Sequence, residues 1–186
     1  MNTCTYYQSA FALLLISCCL LSACDGTPVV SQTSSAEQED SSFFHPLETK
    51  SLSTSPEQAV YIPVYSDIFV SGGGKLNLSI TLSLRNTNFS YPLIITQVNY
   101  YDTAGKLIEN YLETPYILEP MASTHFFITQ KDSRGGVGAN FIVNWAAEPL
   151  ANAPIIQAVM AGSTGTHGIS FISQGQAIPP MPTSSD

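Results

Sequence analysis

The stretch from residue 76 to residue 85 constrains this chain most. Leu76, Leu78, Ile80, Leu82 and Leu84 alternate with Asn77, Ser79, Thr81, Ser83 and Arg85. Successive side chains of an extended backbone point to opposite sides, so a period of two builds a strand with one apolar face and one wet face. A helix would spread the same leucines around its whole circumference. A half-apolar strand needs neighbours for its backbone and a second layer for its apolar face, which points to an antiparallel sheet packed on another.

The pattern recurs along the chain. Residues 60–65, 93–101, 106–112, 123–130, 140–147, 155–161 and 168–173 read as further strands, with Ile94, Val98 and Tyr100 sharing a face of the second. Asp102-Thr-Ala-Gly105 is a hairpin turn, and Gly or Pro punctuates the other joins. No strong amphipathic helix is present. The expected fold is all-β: an antiparallel sandwich of about eight strands, immunoglobulin-like in general build. Trp145, the single tryptophan, reads as a core anchor.

If each strand runs antiparallel to the one before, alternate loops share an end. Ser71-Gly-Gly-Gly74, residues 102–105, residues 133–138 and residues 162–168 then form one end, all with glycine. Pro92, Pro115 and Pro120, and Pro149 and Pro154 mark the other, where both ends of the domain also fall.

Before the domain lies a segment of another kind. Residues 11–23 form an apolar run of about a dozen residues, short for a bilayer span and right for a signal-peptide core. The run meets Leu21-Ser22-Ala23-Cys24, which resembles the lipobox of bacterial lipoprotein precursors. There the Cys24 thiol takes a diacylglycerol and a peptidase cuts before it, requiring small side chains at Ser22 and Ala23 and an aliphatic one at Leu21. Acyl chains on Cys24 give stable anchoring in the bilayer. The n-region, residues 1–10, has no Lys or Arg. Asp25 after the lipidated position resembles a signal that favours the inner membrane. The expected order is a signal peptide over 1–23, a lipidated, disordered tether over 24–56, the β-sandwich over 57–178 and a disordered tail over 179–186. Phe43-Phe44-His45 interrupts the Ser- and Gln-rich tether and reads as a local contact with the domain, with a docking motif as the alternative.

All four cysteines, Cys4, Cys18, Cys19 and Cys24, precede the domain, so it has no disulfide, thiolate metal site or cysteine nucleophile. The net charge of -8 and six scattered Lys and Arg argue against a nucleic-acid partner.

Val60-Tyr-Ile-Pro-Val-Tyr-Ser66, Leu82-Ser-Leu-Arg-Asn-Thr87, Tyr100-Tyr-Asp-Thr-Ala-Gly-Lys-Leu107, Leu118-Glu-Pro-Met-Ala-Ser-Thr124, Gly135-Gly-Val-Gly-Ala-Asn-Phe-Ile142 and Gly168-Ile-Ser-Phe171 carry a resemblance over most of the domain. The chain is similar to a bacterial family designated domain of unknown function 3124. The resemblance implies an envelope location and nothing catalytic, and no functional residue carries over from it.

Familiar catalytic motifs fail on inspection. Gly72-Gly-Gly-Lys75 lacks the first glycine of a P-loop and precedes a strand. Gly136-Val-Gly138 lacks the third glycine of a dinucleotide loop, and Gly162-Ser-Thr-Gly165 is not a nucleophile elbow. No catalytic residue, metal ligand set or cofactor is assigned. Two loops are candidate binding elements. In the first, the glycines Gly135, Gly136 and Gly138, with Asn140, can form an anion-binding nest beside the Arg134 fork, or serve only the turn. The second holds His167, a histidine able to bind metal or shuttle protons, or simply solvated.

The leading expectation is a membrane-anchored envelope lipoprotein with a non-enzymatic binding or accessory module for a protein or glycan partner. The alternatives are a hydrolase or metal-dependent enzyme using His167 or His125, and a purely structural envelope component.

Overall fold

The computed structural model describes residues 42–48 and 56–179. The expected signal peptide with its expected recognition residues Leu21, Ser22 and Ala23, the expected lipidation site Cys24, most of the expected tether and the expected tail beyond 179 lie outside the described residues.

The domain is all-β, with two antiparallel sheets enclosing one core. Its strands are β1 (Phe44–Pro46), β2 (Gln58–Pro63), β3 (Asp67–Phe69), β4 (Lys75–Asn77), β5 (Ser79–Arg85), β6 (Leu93–Tyr101), β7 (Leu107–Asn110), β8 (Tyr116–Leu118), β9 (Ser123–Ile128), β10 (Asn140–Ala147), β11 (Ile155–Thr164), β12 (His167–Gln174) and β13 (Gln176–Ile178). One sheet has the order β1-β8-β6-β10-β2-β13, with β7 also on β6. The other is β12-β11-β5-β9, and β3 pairs with β4 in a separate hairpin.

The alternating stretch does what its period demands. Leu78, Ile80, Leu82 and Leu84 are fully buried against Ile62, Val98, Tyr100, Phe141 and Val143 of the larger sheet. Burying four such side chains contributes on the order of 6–12 kcal/mol before conformational entropy is set against it. The stretch nevertheless splits at Leu78, whose N–H donates to Ser66 O over 2.9 Å. Before that joint Leu76 pairs with Ile68 in the hairpin; after it Ile80 pairs with Met160 and Ile128.

Four further features depart from the pattern read in the sequence. Thirteen strands among the described residues replace about eight, because the extra ones are three residues long and too short to show a period. Residues 106–118 run along β6 as one interrupted strand, so Pro115 sits midway along the sheet and not at the proline end. On β6 the core face holds Leu93 and Ile95, then Val98 and Tyr100. Thr96 is an extra residue in the ladder: Ile95 faces Trp145 while Gln97 faces Asn144. One inserted residue reverses the parity, which moves Ile94 off the face it was expected to share. Finally, within the tether expected over 24–56, the local contact read at Phe43-Phe44-His45 takes the form of a paired strand over residues 44–46. These form β1, Phe44 is buried, and its ring stacks on Tyr116 with centroids 4.7 Å apart. Trp145 is partly buried and packs against the core cluster.

Pro115 apart, the alternate-loop arrangement is realised. Thr103 bonds to Gly135, Ser66 to Gly136, and Gln130 to Asn77, so the glycine loops gather at one end. Asn86 and Asn88 bond to residues 118, 119, 121 and 152, which gathers the proline loops at the other. The Phe43 carbonyl accepts from Glu119 N–H over 3.0 Å, and Gln58 Nε2 donates to Ile178 O over 3.0 Å. Chain entry at Phe43 and the last strand are therefore both at the proline end.

Candidate functional site

At the glycine end the loop 133–138 is a clasp. Gly136 N–H donates to Ser66 Oγ over 2.6 Å and Gly138 N–H to Thr103 Oγ1 over 2.9 Å. The Gly135 carbonyl accepts from both Thr103 N–H and Thr103 Oγ1. The donors proposed for an anion nest are thus turned on Ser66 and Thr103, and Ser66 is fully buried. Glycine is required at 135 for space: a Cβ there would lie 2.0 Å from the Tyr100 hydroxyl. At Gly136 the backbone itself demands it, with φ at 74°.

Arg134 is also committed. Its Nε donates to Asp132 Oδ1 over 2.9 Å, and its Nη2 donates to Asp132 Oδ2 over 2.7 Å and to Glu109 Oε2 over 3.2 Å. Those hydrogen bonds hold the Asp132 carboxyl below its ordinary range, and the same carboxylate raises the Arg134 guanidinium. The fork serves its own loop. Beneath it, burial pushes the Tyr100 phenol up to about 12, assisted by the Asp132 charge and opposed by Ser66 and Arg134. Burial likewise raises Tyr111, whose ring packs against Phe126 and Phe141.

The remaining candidates are scattered. Asn140 is the first residue of β10, held in ladders opposite Tyr101 and Pro63. His167 is exposed at the start of β12, with Nδ1 3.5 Å from Thr166 Oγ1. His125 is exposed on β9 opposite Ser83. The two histidines stand on opposite edges of the four-stranded sheet, so they do not converge on one substrate. Among the described residues there is no group of three or more His, Cys, Asp or Glu placed to hold a metal.

Two surface features were not foreseen. The first is β12. It pairs with β11 on one side and ends the sheet on the other. Along its eight residues there is no Lys, Arg, Asp, Glu or Pro, and Ile169 and Ile172 are exposed. Its length and alternation were visible, but which strand would end a sheet is a property of topology, which the sequence does not print.

The second is the set of tips at the proline end. Asn86, buried, shares its amide hydrogens among the carbonyls of Tyr91, Leu118 and Glu119, and its Oδ1 accepts from Asn88 N–H and Nδ2. Asn88 in turn bonds to Asn152 in both directions, through Nδ2 to its carbonyl and Oδ1 from its N–H. This framework pins three loops whose tips are apolar: Phe89 is 86% exposed, Leu150 79% and Met121 57%. Met121 has φ 61° in a turn closed by Ala122 N–H to Glu119 O. A non-glycine residue in that region costs on the order of 1 kcal/mol or more.

No helix among the described residues is long and apolar enough to cross a membrane. No protein with a curated description matches the chain. A solved structure titled for Thermotoga maritima 1070 is similar at 13% identity and TM-score 0.37, over 64% of this chain and 92% of that one. A likeness at that level carries no argument. The sequence profile of a family described as protein of unknown function (DUF3124) matches residues 57–178, most of the chain and nearly all of the sandwich, and the chain belongs to that family.

Proposed function

We propose that the chain is a lipid-anchored protein of the bacterial envelope whose sandwich is a non-enzymatic accessory module, binding a protein partner by strand addition at β12. The lipobox at Leu21-Ser22-Ala23-Cys24 supports the anchor, with the domain facing the periplasm or exterior. Asp25 favours the inner membrane.

The observation that carries the binding reading is the β12 edge. Native sheets blunt their edges with lysines, prolines, bulges or very short strands. The edges of the larger sheet follow that habit, since β1 and β13 are three residues each. The eight-residue β12 has no such device. An extended segment of a partner would gain main-chain hydrogen bonds along it and side-chain contacts with Ile169 and Ile172. The glycine loops contribute by holding the end of the sandwich from which the turn at residues 165–166 and His167 project. The glycine-loop end, expected to receive a protein or glycan partner through Arg134 and residues 135–138, has most of those donors bonded within the chain.

A photo-crosslinking residue at Ser170 of the full chain, in intact host cells, tests this. A reproducible protein adduct that Ile169→Lys with Ile172→Lys abolishes, without lowering the melting temperature, supports it. Failure to form an adduct while Cys24 is acylated, or an adduct that the lysines leave intact, overturns it.

A further inference from the structure

We infer that the proline end is a membrane-contacting surface: Phe89, Met121 and Leu150 sit in the interfacial layer of the bilayer that holds the acyl chains of Cys24. The inference rests on the anchored reading above and extends it from the chain terminus to the folded domain.

Three observations lead there. The tips belong to three separate loops, yet all lie at one end, tied by Asn86, Asn88 and Asn152. An accidental exposed apolar side chain is ordinary; three at one end, held by a buried polar framework, form a surface. The loops that carry them hold little charge. Asn86-Thr-Asn-Phe-Ser-Tyr-Pro92 has none, Glu119-Pro-Met-Ala122 has one glutamate bonded to His45, and Glu148-Pro-Leu-Ala-Asn-Ala-Pro154 has one glutamate. Lys75, Lys106, Lys131 and Arg134 lie on elements at the opposite end, and Arg85, the exposed last residue of β5, is the one basic residue at this end among the described residues. The contact would therefore be insertion of apolar tips, with little electrostatic attraction to anionic lipid.

The third observation is the chain's entry point. Phe43, itself half-exposed, enters beside Glu119 at this same end. Between Cys24 and Ser42 there are 18 steps of chain. Fully extended, that many residues reach at most about 60 Å, so the length of chain lets this end lie at the bilayer. Met121 adds a local sign. Glycine would relieve its left-handed turn, and the chain instead presents an exposed thioether there.

The test uses the full, processed chain in vesicles of phosphatidylethanolamine with a minor share of phosphatidylglycerol, doped with a lipid bearing a carbene-forming acyl chain. Mass spectrometry reads both the mass at Cys24 and the position of the label. With Cys24 acylated, the tips should take about tenfold more label than the hairpin at Gly72 and Gly73, with little change on raising salt. Phe89→Ser with Met121→Ser and Leu150→Ser should remove that excess while the melting temperature and the acylation stay unchanged. Acylated protein whose tips take no more label than the hairpin overturns the membrane contact and leaves the anchor standing. An unmodified Cys24 overturns the anchor, and the contact with it.

Discussion

The two ends of the sandwich solve the same problem with different chemistry. Each must fix loops that carry little regular structure. The proline end does it with neutral amides: Asn86 and Asn88 substitute for the missing ladder, bonding carbonyls that the departing strands leave open. The glycine end does it with close approach and charge. Gly135 lets the loop settle on Tyr100, Ser66 and Thr103 take the amide hydrogens, and Arg134 is braced by Asp132 and Glu109. A buried amide network is all or nothing, since each lost partner leaves others unsatisfied. A clasp braced from the surface can lose its outer ion pairs and keep its inner contacts. The first end should therefore be brittle and the second graded.

Removing Asn86 should produce the largest loss. Asn86→Ala deletes bonds to three carbonyls and two donors on Asn88, most of them buried. The expected cost is about 4 kcal/mol, read by urea denaturation. A loss under about 1 kcal/mol would show that water replaces the amide, and the contrast between the ends would fall.

At the glycine end the comparable change is Gly135→Ala. The residue has φ -71° and ψ -38°, which alanine adopts freely, so only space is tested. The new Cβ meets the Tyr100 hydroxyl at 2.0 Å and Ala139 Cβ at 2.7 Å. Overpacking of this kind costs about 3 kcal/mol. Tyr100→Phe in the same chain should recover part of it, because the nearest clashing atom is the hydroxyl. Arg134→Ala, by contrast, should cost about 1 kcal/mol or less, since its side chain is largely exposed. Equal losses for Gly135→Ala alone and with Tyr100→Phe would place the constraint elsewhere in the loop.

What was legible in the sequence follows from which signals are periodic. The fold class and the strands over residues 93–101 and 140–147 were readable because their apolar positions repeat over eight or nine residues. The facing of Ile94 was not, because a single inserted Thr96 leaves no mark on composition. The glycines of 135–138 were visible as a cluster, but two uses of a glycine, donating to a ligand and admitting a neighbour, look identical until Tyr100 and Ser66 are placed beside them. Asn86 and Asn88 read as ordinary loop residues; their weight comes from partners more than thirty residues away. The exposed tips and the β12 edge were hidden for the same reason, since exposure is decided by what does not pack on a residue.

A last contrast separates the ends by titration. Tyr100 is fully buried in the fold and its phenol rises to about 12 from an ordinary value near 10. The folded state therefore holds that proton more tightly than the unfolded chain. The stabilisation is complete below pH 10 and is lost as pH climbs from about 10 through about 12, at about 1.4 kcal/mol per unit for one tyrosine. Tyr111, raised in the same direction by burial, adds to the loss in the same alkaline window. Unfolding free energy measured between pH 8 and 12 should fall steeply above pH 10, and Tyr100→Phe should remove about 2 kcal/mol of that fall. Amide exchange should show the glycine end opening first, because Asn86 and Asn88 carry no proton in that range to release. If Tyr100→Phe leaves the alkaline fall unchanged, or the proline end opens first, charge and burial at the glycine end are not what distinguishes the two.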